Sequence, residues 1–556
     1  MPTTSVGTPP RPWFGYTVAL IVILTIYRGL VVYYGHLDLY VDEAQYWTWS
    51  QHLTWGYYSK PPVLALLIAF TTWIGGNGVF WVKAGALIAY PISALLLYAL
   101  ARRLFDPRIA FWSAAAFILL PGVSLSSMII STDVPFFLFW CLGLYAYWRA
   151  LENDRWSWWL LAGVAGGLGL QTKYTMILFV LSVVLYLASD PRLRQHFKSP
   201  KLYVTMLIAA LIFLPNLLWN AANDWPSLQN VTNISHLESN PGLHWNHLSD
   251  FLGAQFAVMG PIFFGIWLWL TLWRPSRWWK DDRLRFLQLF AIPFLVTICI
   301  VSLFGRANAN WGAMTYASAT IVIVAMRVAR EPQLRRSAWR WFVAGLAINF
   351  VLMPTVYHLD WWTHEAGITL TRHNDPFKRV RGWSAFAAEA RAFMQQHPNA
   401  IPLADDRGTV AELKYYARPA GRRTLEWNPA GTINDQYTLK PTLDGKQGKD
   451  FLYFTHHKQL AANLRASFDT TTWLGAIHIP VDKGFARDYS VWFLKNFKGY
   501  QPSRGAVHPA LRTDRREVSP SLQRTTLGAG GRHAGTRHGT DPGSRLRDLP
   551  HTVSGR

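Results

Sequence analysis

Charge is scarce in this chain. Asp, Glu, Lys and Arg make up 15% of its 556 residues, against roughly 25% in soluble domains. With 51% hydrophobic residues, that composition excludes an ordinary soluble enzyme. Acids are the scarcer sign: 32 Asp and Glu face 54 Lys and Arg, a net charge of +22. Cysteine is nearly missing. Cys141 and Cys299 both lie inside apolar runs, which argues against a disulfide framework or a thiolate metal site and for small buried hydrophobes. Heptads and repeats of 20–50 residues are absent, as is any RNA- or DNA-binding motif, so no nucleic-acid partner is expected. Gly163, Gly166, Gly167 and Gly169 form no phosphate loop, because no Gly-Lys-Ser/Thr follows them. Gly163 and Gly167 instead suit close helix packing in a membrane. No small-residue cleavage site follows the first apolar run, so that run is expected to be a retained span.

What the chain does have is long apolar runs near 13–34, 79–101, 109–130, 133–150, 157–171, 174–189, 202–219, 251–273, 284–304, 309–327 and 340–357, about the length a bilayer requires. A further run, 61–76, begins at Pro61-Pro62 and ends at Gly75-Gly76-Asn77-Gly78. Basic residues gather in alternate gaps: Arg102, Arg103 and Arg108; Arg149 and Arg155; Arg192, Arg194, Lys198 and Lys201; Arg274 to Arg285; Arg327 to Arg340. The other gaps hold only Lys60, Lys173 and Arg306. Cytoplasmic loops carry the Lys/Arg excess. All five clusters fall on that side only if 61–76 is a juxtamembrane or re-entrant segment. The expectation is therefore a polytopic α-helical membrane protein of about eleven spans plus juxtamembrane helices. Residues 1–12 are expected in the cytoplasm, 13–357 in the membrane unit, and 35–78 as an outer loop with juxtamembrane segments.

That topology places Asp42, Glu43, Lys60, Asp133, Lys173 and Arg306 on one face. The stretch Asp38 to Pro62 is the densest part of it. It holds the acid pair, an aromatic series (Tyr46, Trp47, Trp49, Trp55, Tyr57, Tyr58) and Lys60 before Pro61-Pro62. Charges beside membrane spans are functional-site candidates by default; the plainer alternatives are an aromatic belt, lysine snorkelling and, for Asp133 with Pro135 behind it, a helix cap. After residue 358 the apolar density falls. Helices are expected at Trp383–Gln396 and Thr409–Ala417, with strands at Ile401–Leu403, Phe451–Thr455 and Thr472–Ile479. The first strand contains Pro402, which predicts an edge position. Residues 358–500 thus read as a small C-terminal α/β extracytoplasmic domain, and 501–556, rich in Arg and Gly, as a disordered basic tail.

The motifs in order resemble a known family. Asp42-Glu43-x-x-Tyr46, then Lys60-Pro61-Pro62, Ser131 to Pro135 (STDVP), Thr172 to Thr175 (TKYT), Asn216 to Ser227 (NLLWNAANDWPS) and Arg306 to Trp311 (RANANW) look like the bacterial GT-C integral-membrane glycosyltransferases of the protein mannosyltransferase-like and aminoarabinose transferase-like type. Asp405 to Tyr416 echoes a C-terminal segment of relatives. The resemblance implies a sugar carried on a polyisoprenyl (undecaprenyl) phosphate. It would be passed, with inversion, to a lipid, glycan or protein acceptor outside the cytoplasmic (inner) membrane. It implies Asp42 as the carboxylate receiving the acceptor's proton, with Glu43 in reserve or bracing the loop. Lys60, Lys173 and Arg306 would meet the leaving phosphate, and Asp133, Tyr174 and Tyr46 would face the substrate. Some aminoarabinose-type relatives place a metal-holding Glu just before the loop lysine; here that residue is Ser59, so no cofactor is assigned and a divalent metal stays unsupported. His244 and His247, at i and i+3, could serve a metal if helical, and His236 lies nearby. Asn230-Val-Thr and Asn233-Ile-Ser match short glycosylation patterns. A transporter or flippase of an anionic lipid-linked substrate is the rival function, although such a protein should show repeats and broken mid-bilayer segments.

Overall fold

The computed structural model describes residues 12–35, 37–235, 242–328, 335–440 and 442–501. The N-terminal segment before residue 12, His236 and the tail beyond residue 501 lie outside them. Among the described residues six helices are long and apolar enough to cross a membrane: Trp13–Tyr34, Val79–Leu104, Asp133–Asn153, Pro200–Ala222, Asp282–Phe304 and Ser337–Tyr357. Shorter apolar helices, Val63–Gly75, Tyr174–Ala188 and Thr315–Met326, pack among them. Their outward side chains, such as Ile23, Trp73, Leu211, Leu218 and Val351, are exposed, as expected of surfaces that meet hydrocarbon rather than water.

Two of the apolar runs are broken where the sequence supplies a breaker. The run 251–273 is not one straight rod: Trp245–Val258 and Pro261–Trp273 meet at 116°. The hinge residue Gly260 has φ +92°, and a Cβ there would lie 2.1 Å from the Asn349 amide oxygen, so only glycine fits. The run 109–130 divides into Pro107–Ile118 and Pro121–Ser126. The freed carbonyl of Ile118 is met at 2.6 Å by the buried guanidinium of Arg28, which also reaches Ser124 Oγ at 3.0 Å. The helix Val63–Gly75 has 13 residues, about 20 Å of rise, too short to cross a ~30 Å hydrocarbon core. Gly163 and Gly167 do serve close packing. A Cβ on either would lie 2.7 Å from the helix Pro200–Ala222, at Thr205 O for Gly163 and at Ile212 for Gly167.

The C-terminal segment builds one five-stranded sheet, β1 Ile401–Ala404, β2 Leu425–Glu426, β3 Phe451–Thr455, β4 Phe468–Asp482 and β5 Phe485–Phe497, in the order β2-β1-β3-β5-β4. The helices Trp383–Gln396 and Arg407–Tyr416 pack with it. β1 is not an edge strand, contrary to the expectation from Pro402. β2 pairs only with Leu403 and Ala404, so Pro402 has β3 alone beside it and its missing N–H interrupts no ladder.

Candidate functional site

The helix Val41–Ser50 organises the site. Tyr40 precedes it in an extended conformation, and Glu43 reaches back to the Tyr40 N–H at 2.8 Å. This is half of a capping box, and two carboxylates in the first turn suit the helix dipole. Adjacent helical residues point about 100° apart, which separates the acid pair. Glu43 is fully buried. Its other oxygen accepts from Ile130 N at 2.7 Å, and Lys83 Nζ stands 3.5 Å away. Burial pushes the Glu43 carboxyl up from its ordinary range, against the pull of Lys83 and the two N–H donors. Asp42 is 37% exposed and faces a cavity.

Glu43 is thus engaged as a brace, one of the two roles expected for it, and it also contributes to the lining of a chamber shared with Asp42. Glu43→Ala would strand the Lys83 ammonium and two N–H groups, a loss of about 3–5 kcal/mol for breaking a buried pair. A drop of the apparent Tm in detergent by several degrees is expected for Glu43→Ala, and a smaller one for Glu43→Gln. A Glu43→Ala protein with wild-type melting but no turnover would show that Glu43 acts in chemistry instead.

The chain after this helix is clasped from several sides. Trp49 and Tyr57 stack at 4.5 Å, and Trp47 donates to Asn77 Oδ1 at 2.7 Å. These three aromatics are core, not lining, whereas Trp55 is exposed. The NLLWNAANDWPS motif holds the loop: Asn216 donates to Trp55 O at 2.8 Å and Ser227 to Tyr57 O at 3.2 Å. The C-terminal segment grips it too. Gln436 accepts from Tyr58 N at 2.7 Å, Thr48 and Tyr437 hydroxyls meet at 3.1 Å, and Asp38 accepts from Trp383 N at 2.8 Å.

Two chambers open beside Asp42. The polar one, of ≈ 420 Å³, brings together Asp42, Tyr46, Lys60, Asp133, Lys173 and Arg407. Lys173 pairs with Asp133 at 2.8 Å, and Asn310 donates to the other Asp133 oxygen. Arg407 donates to Asp42 Oδ1 at 2.7 Å and to Gln45 Oε1. Among the described residues no hydrogen bond or ion pair engages the Lys60 ammonium, and burial followed by the Lys173 charge pushes it down to about 8. Burial, then the Asp42 charge, holds the Tyr46 hydroxyl well above its ordinary value, so it remains a donor. The second chamber, of ≈ 410 Å³, shares Asp42, Tyr46, Asp133 and Asn310 and continues along Leu120, Ile129, Phe137 and Val258. Both volumes fall in the range of ligand sites.

The lipid A galacturonosyltransferase of Rhizobium johnstonii is 32% identical to this chain over 421 residues, covering 75% of this chain and 86% of that protein. The chain belongs to the GT-C family of integral-membrane glycosyltransferases. It is a multi-pass membrane enzyme of that family, and the polyprenyl-phosphate-dependent class read from its motifs holds. The family model for dolichyl-phosphate-mannose-protein mannosyltransferase matches residues 59–219. The undecaprenyl phosphate-alpha-4-amino-4-deoxy-L-arabinose arabinosyl transferase of Pseudomonas paraeruginosa is 33% identical over 177 residues, 30% of this chain and 32% of its own. The crystal structure of ArnT from Cupriavidus metallidurans bound to undecaprenyl phosphate shares the fold. It superposes with TM-score 0.56 at 16% identity, over 85% of this chain and 97% of that one.

Two residues expected at the GT-C site line neither of these two chambers. Tyr174 OH donates to Asn216 Oδ1 at 3.1 Å and lines neither chamber; it anchors the helix Pro200–Ala222. Arg306 is exposed and also lines neither chamber. From the same RANANW motif it is Asn308, Asn310 and Trp311 that reach the polar one. The rings of His244 and His247 lie 4.9 Å apart, tilted by 34°, His247 meets Gly305 O, and among the described residues no three His, Cys, Asp or Glu gather around a common point. Asn230 is buried at the polar chamber, a poor place for a glycan, and the side chain of Asn233 lies outside the described residues. Sequence reasoning missed Lys83 and Arg407. A lone lysine in the apolar run 79–101 was a readable signal, whereas Arg407 carries no local mark.

Proposed function

We propose that this glycosyltransferase takes its sugar from a polyisoprenyl phosphate, undecaprenyl in kind, and passes it to the hydroxyl of a lipid acceptor on the outer face of the cytoplasmic membrane. The observation that carries this reading is the pairing, in one chamber, of an accessible carboxylate, Asp42, with an unengaged ammonium, Lys60. The acceptor oxygen attacks the anomeric carbon, and its proton passes to Asp42. The carbon–oxygen bond to phosphate breaks and the electron pair leaves with the polyisoprenyl phosphate. Lys60, with Lys173 behind it, stabilises the charge that collects there. Asp133 holds Lys173 in place, and Tyr46 donates to a sugar or phosphate oxygen. The apolar chamber accommodates the prenyl tail.

The arginine and lysine clusters support the eleven-span topology, with the N-terminus inside and the sheet-bearing segment outside. Relatives whose names give a lipid A acceptor and an undecaprenyl donor support a lipid acceptor over a glycan or protein. Reconstitution in vesicles with undecaprenyl-phosphate sugars and lipid A tests the whole. Release of undecaprenyl phosphate is expected, with a cysteine placed at Pro107 labelled only from the inside. Translocation of the lipid-sugar without its consumption would overturn the proposal.

A further inference from the structure

A third cavity, of ≈ 610 Å³, opens on the other side of Arg407. Its walls carry five cations, Arg372, Lys378, Arg379, Arg407 and Arg487, over the aromatic surfaces of Tyr40, Trp383 and Phe485. Arg407 is neutralised by Asp42. Among the described residues the other four have no carboxylate within ion-pair distance. Arg372 lies over the Phe485 ring at 5.6 Å. Lys378 donates to Arg372 O, and Arg379 to Tyr40 OH at 3.1 Å. Arg487 sits 3.5 Å from the Trp383 ring centre and donates to the carbonyls of Arg381, Lys378 and Arg379. The one acid in the crevice, Asp406, is committed to capping its own helix through Thr409. Nearby Arg381 shows what compensation looks like here: Asp360 and Asp375 both hold it. A concave cluster of cations, four of them without an ion-paired carboxylate, focuses potential on an anion.

The same loop joins this crevice to an apolar cleft. Phe377, next to Lys378, lines a mostly apolar cavity of ≈ 470 Å³ with Leu30, Val31 and Tyr34 of the first helix, Tyr357 of the last one, and Trp361; its one acid, Asp360, is paired with Arg381. Basic crevice and apolar cleft therefore meet at residues 377–379. That pairing matches one ligand shape: an anionic sugar headgroup on acyl chains. The donor phosphate already has Lys60 and Lys173 in the polar chamber, and Arg407 forms a wall of both sites while touching Asp42.

We infer that this crevice and cleft dock the acceptor, a glycolipid whose headgroup bears phosphate or carboxylate, and present its hydroxyl toward Asp42. The inference rests on the transfer reaction proposed above. The full-length protein in phosphatidylcholine nanodiscs, with bisphosphorylated lipid A as the probe, tests it through the double variant Arg372→Gln/Arg379→Gln. The acceptor KM should rise about tenfold or more, the effect of losing charge-assisted hydrogen bonds, with kcat and donor KM within twofold of wild type. Wild type should prefer bisphosphorylated over dephosphorylated lipid A, the variant should lose that preference, and phosphatidylglycerol should not compete. An unchanged acceptor KM, a loss confined to donor KM, or equal competition by phosphatidylglycerol would each overturn it. Lipid A binding to the purified protein, read by native mass spectrometry in wild type and variant, separates the two ideas: a wild type that consumes no lipid-sugar fails the reaction, while undiminished binding by the variant fails the crevice.

Discussion

Replacing Asp42 with asparagine is expected to cut transfer by about 10²–10⁴-fold, the usual worth of a positioned proton acceptor, while donor affinity stays close to that of wild type. The substitution is informative because of how Asp42 is held. Its Oδ1 accepts from Arg407 at 2.7 Å, and an asparagine carbonyl can still accept there, more weakly for want of the charge. Chamber shape, helix cap and the grip of the C-terminal segment should all survive. What is lost is the negative charge and the ability to take a proton in the transition state. The effect should therefore fall on kcat, and on kcat/KM equally, as for an interaction made only in the transition state. Quantifying undecaprenyl phosphate release under saturating donor checks it. Full turnover by Asp42→Asn would remove Asp42 from the role. A large rise in donor KM with kcat intact would make it a binding residue instead.

Much of this was legible because charge in an apolar chain is rare. Asp42, Lys60, Asp133 and Lys173 stood out as isolated charges that topology put on one face, and they line one chamber. The limits are equally physical. Neighbouring residues in a helix face different ways, so the pair Asp42-Glu43 read as one feature divides into an open carboxylate and a buried brace. Tyr174 and Arg306 sat inside motifs that do reach the site, but a motif fixes a segment and not which side chains turn inward. Arg407 is 365 positions from Asp42 in sequence, and only the folded sheet segment brings the two together. The helix at Trp383–Gln396 followed from pattern, and the one expected at Thr409–Ala417 forms at Arg407–Tyr416, yet the pairing of β1 with a two-residue β2 is a tertiary outcome no local signal carries. The span count depends on short apolar helices: Val63–Gly75, at 13 residues, is too short to cross alone, and hydropathy alone does not separate such a helix from a true span.

Lys60 should impose an alkaline limit on the free enzyme. Burial and the neighbouring Lys173 charge lower its ammonium from the ordinary 10.5 to about 8. The charged form is the one that meets phosphate, so kcat/KM for the donor should fall as pH rises through about 8, approaching tenfold per unit beyond it, as expected for a single essential ionisation. Bound phosphate favours the cation, so kcat at saturating donor should decline only at higher pH. Stability moves the opposite way. Between about 8 and 10.5 the unfolded chain still holds the proton that folded Lys60 has released, so the fold gains stability with pH in that window. The Lys60 ionisation therefore cannot cause unfolding near pH 8.5, and a melting curve at each pH separates lost activity from lost fold. Lys60→Ala should lower kcat/KM for the donor by about 10²–10³-fold, comparable to removing one donor from a charge-stabilising site. Lys60→Arg should keep part of the activity and shift the alkaline limit upward, because a guanidinium stays charged across this range. An unshifted limit in Lys60→Arg would assign the ionisation to another group, and an unchanged donor kcat/KM in Lys60→Ala would leave Lys60 without its phosphate role.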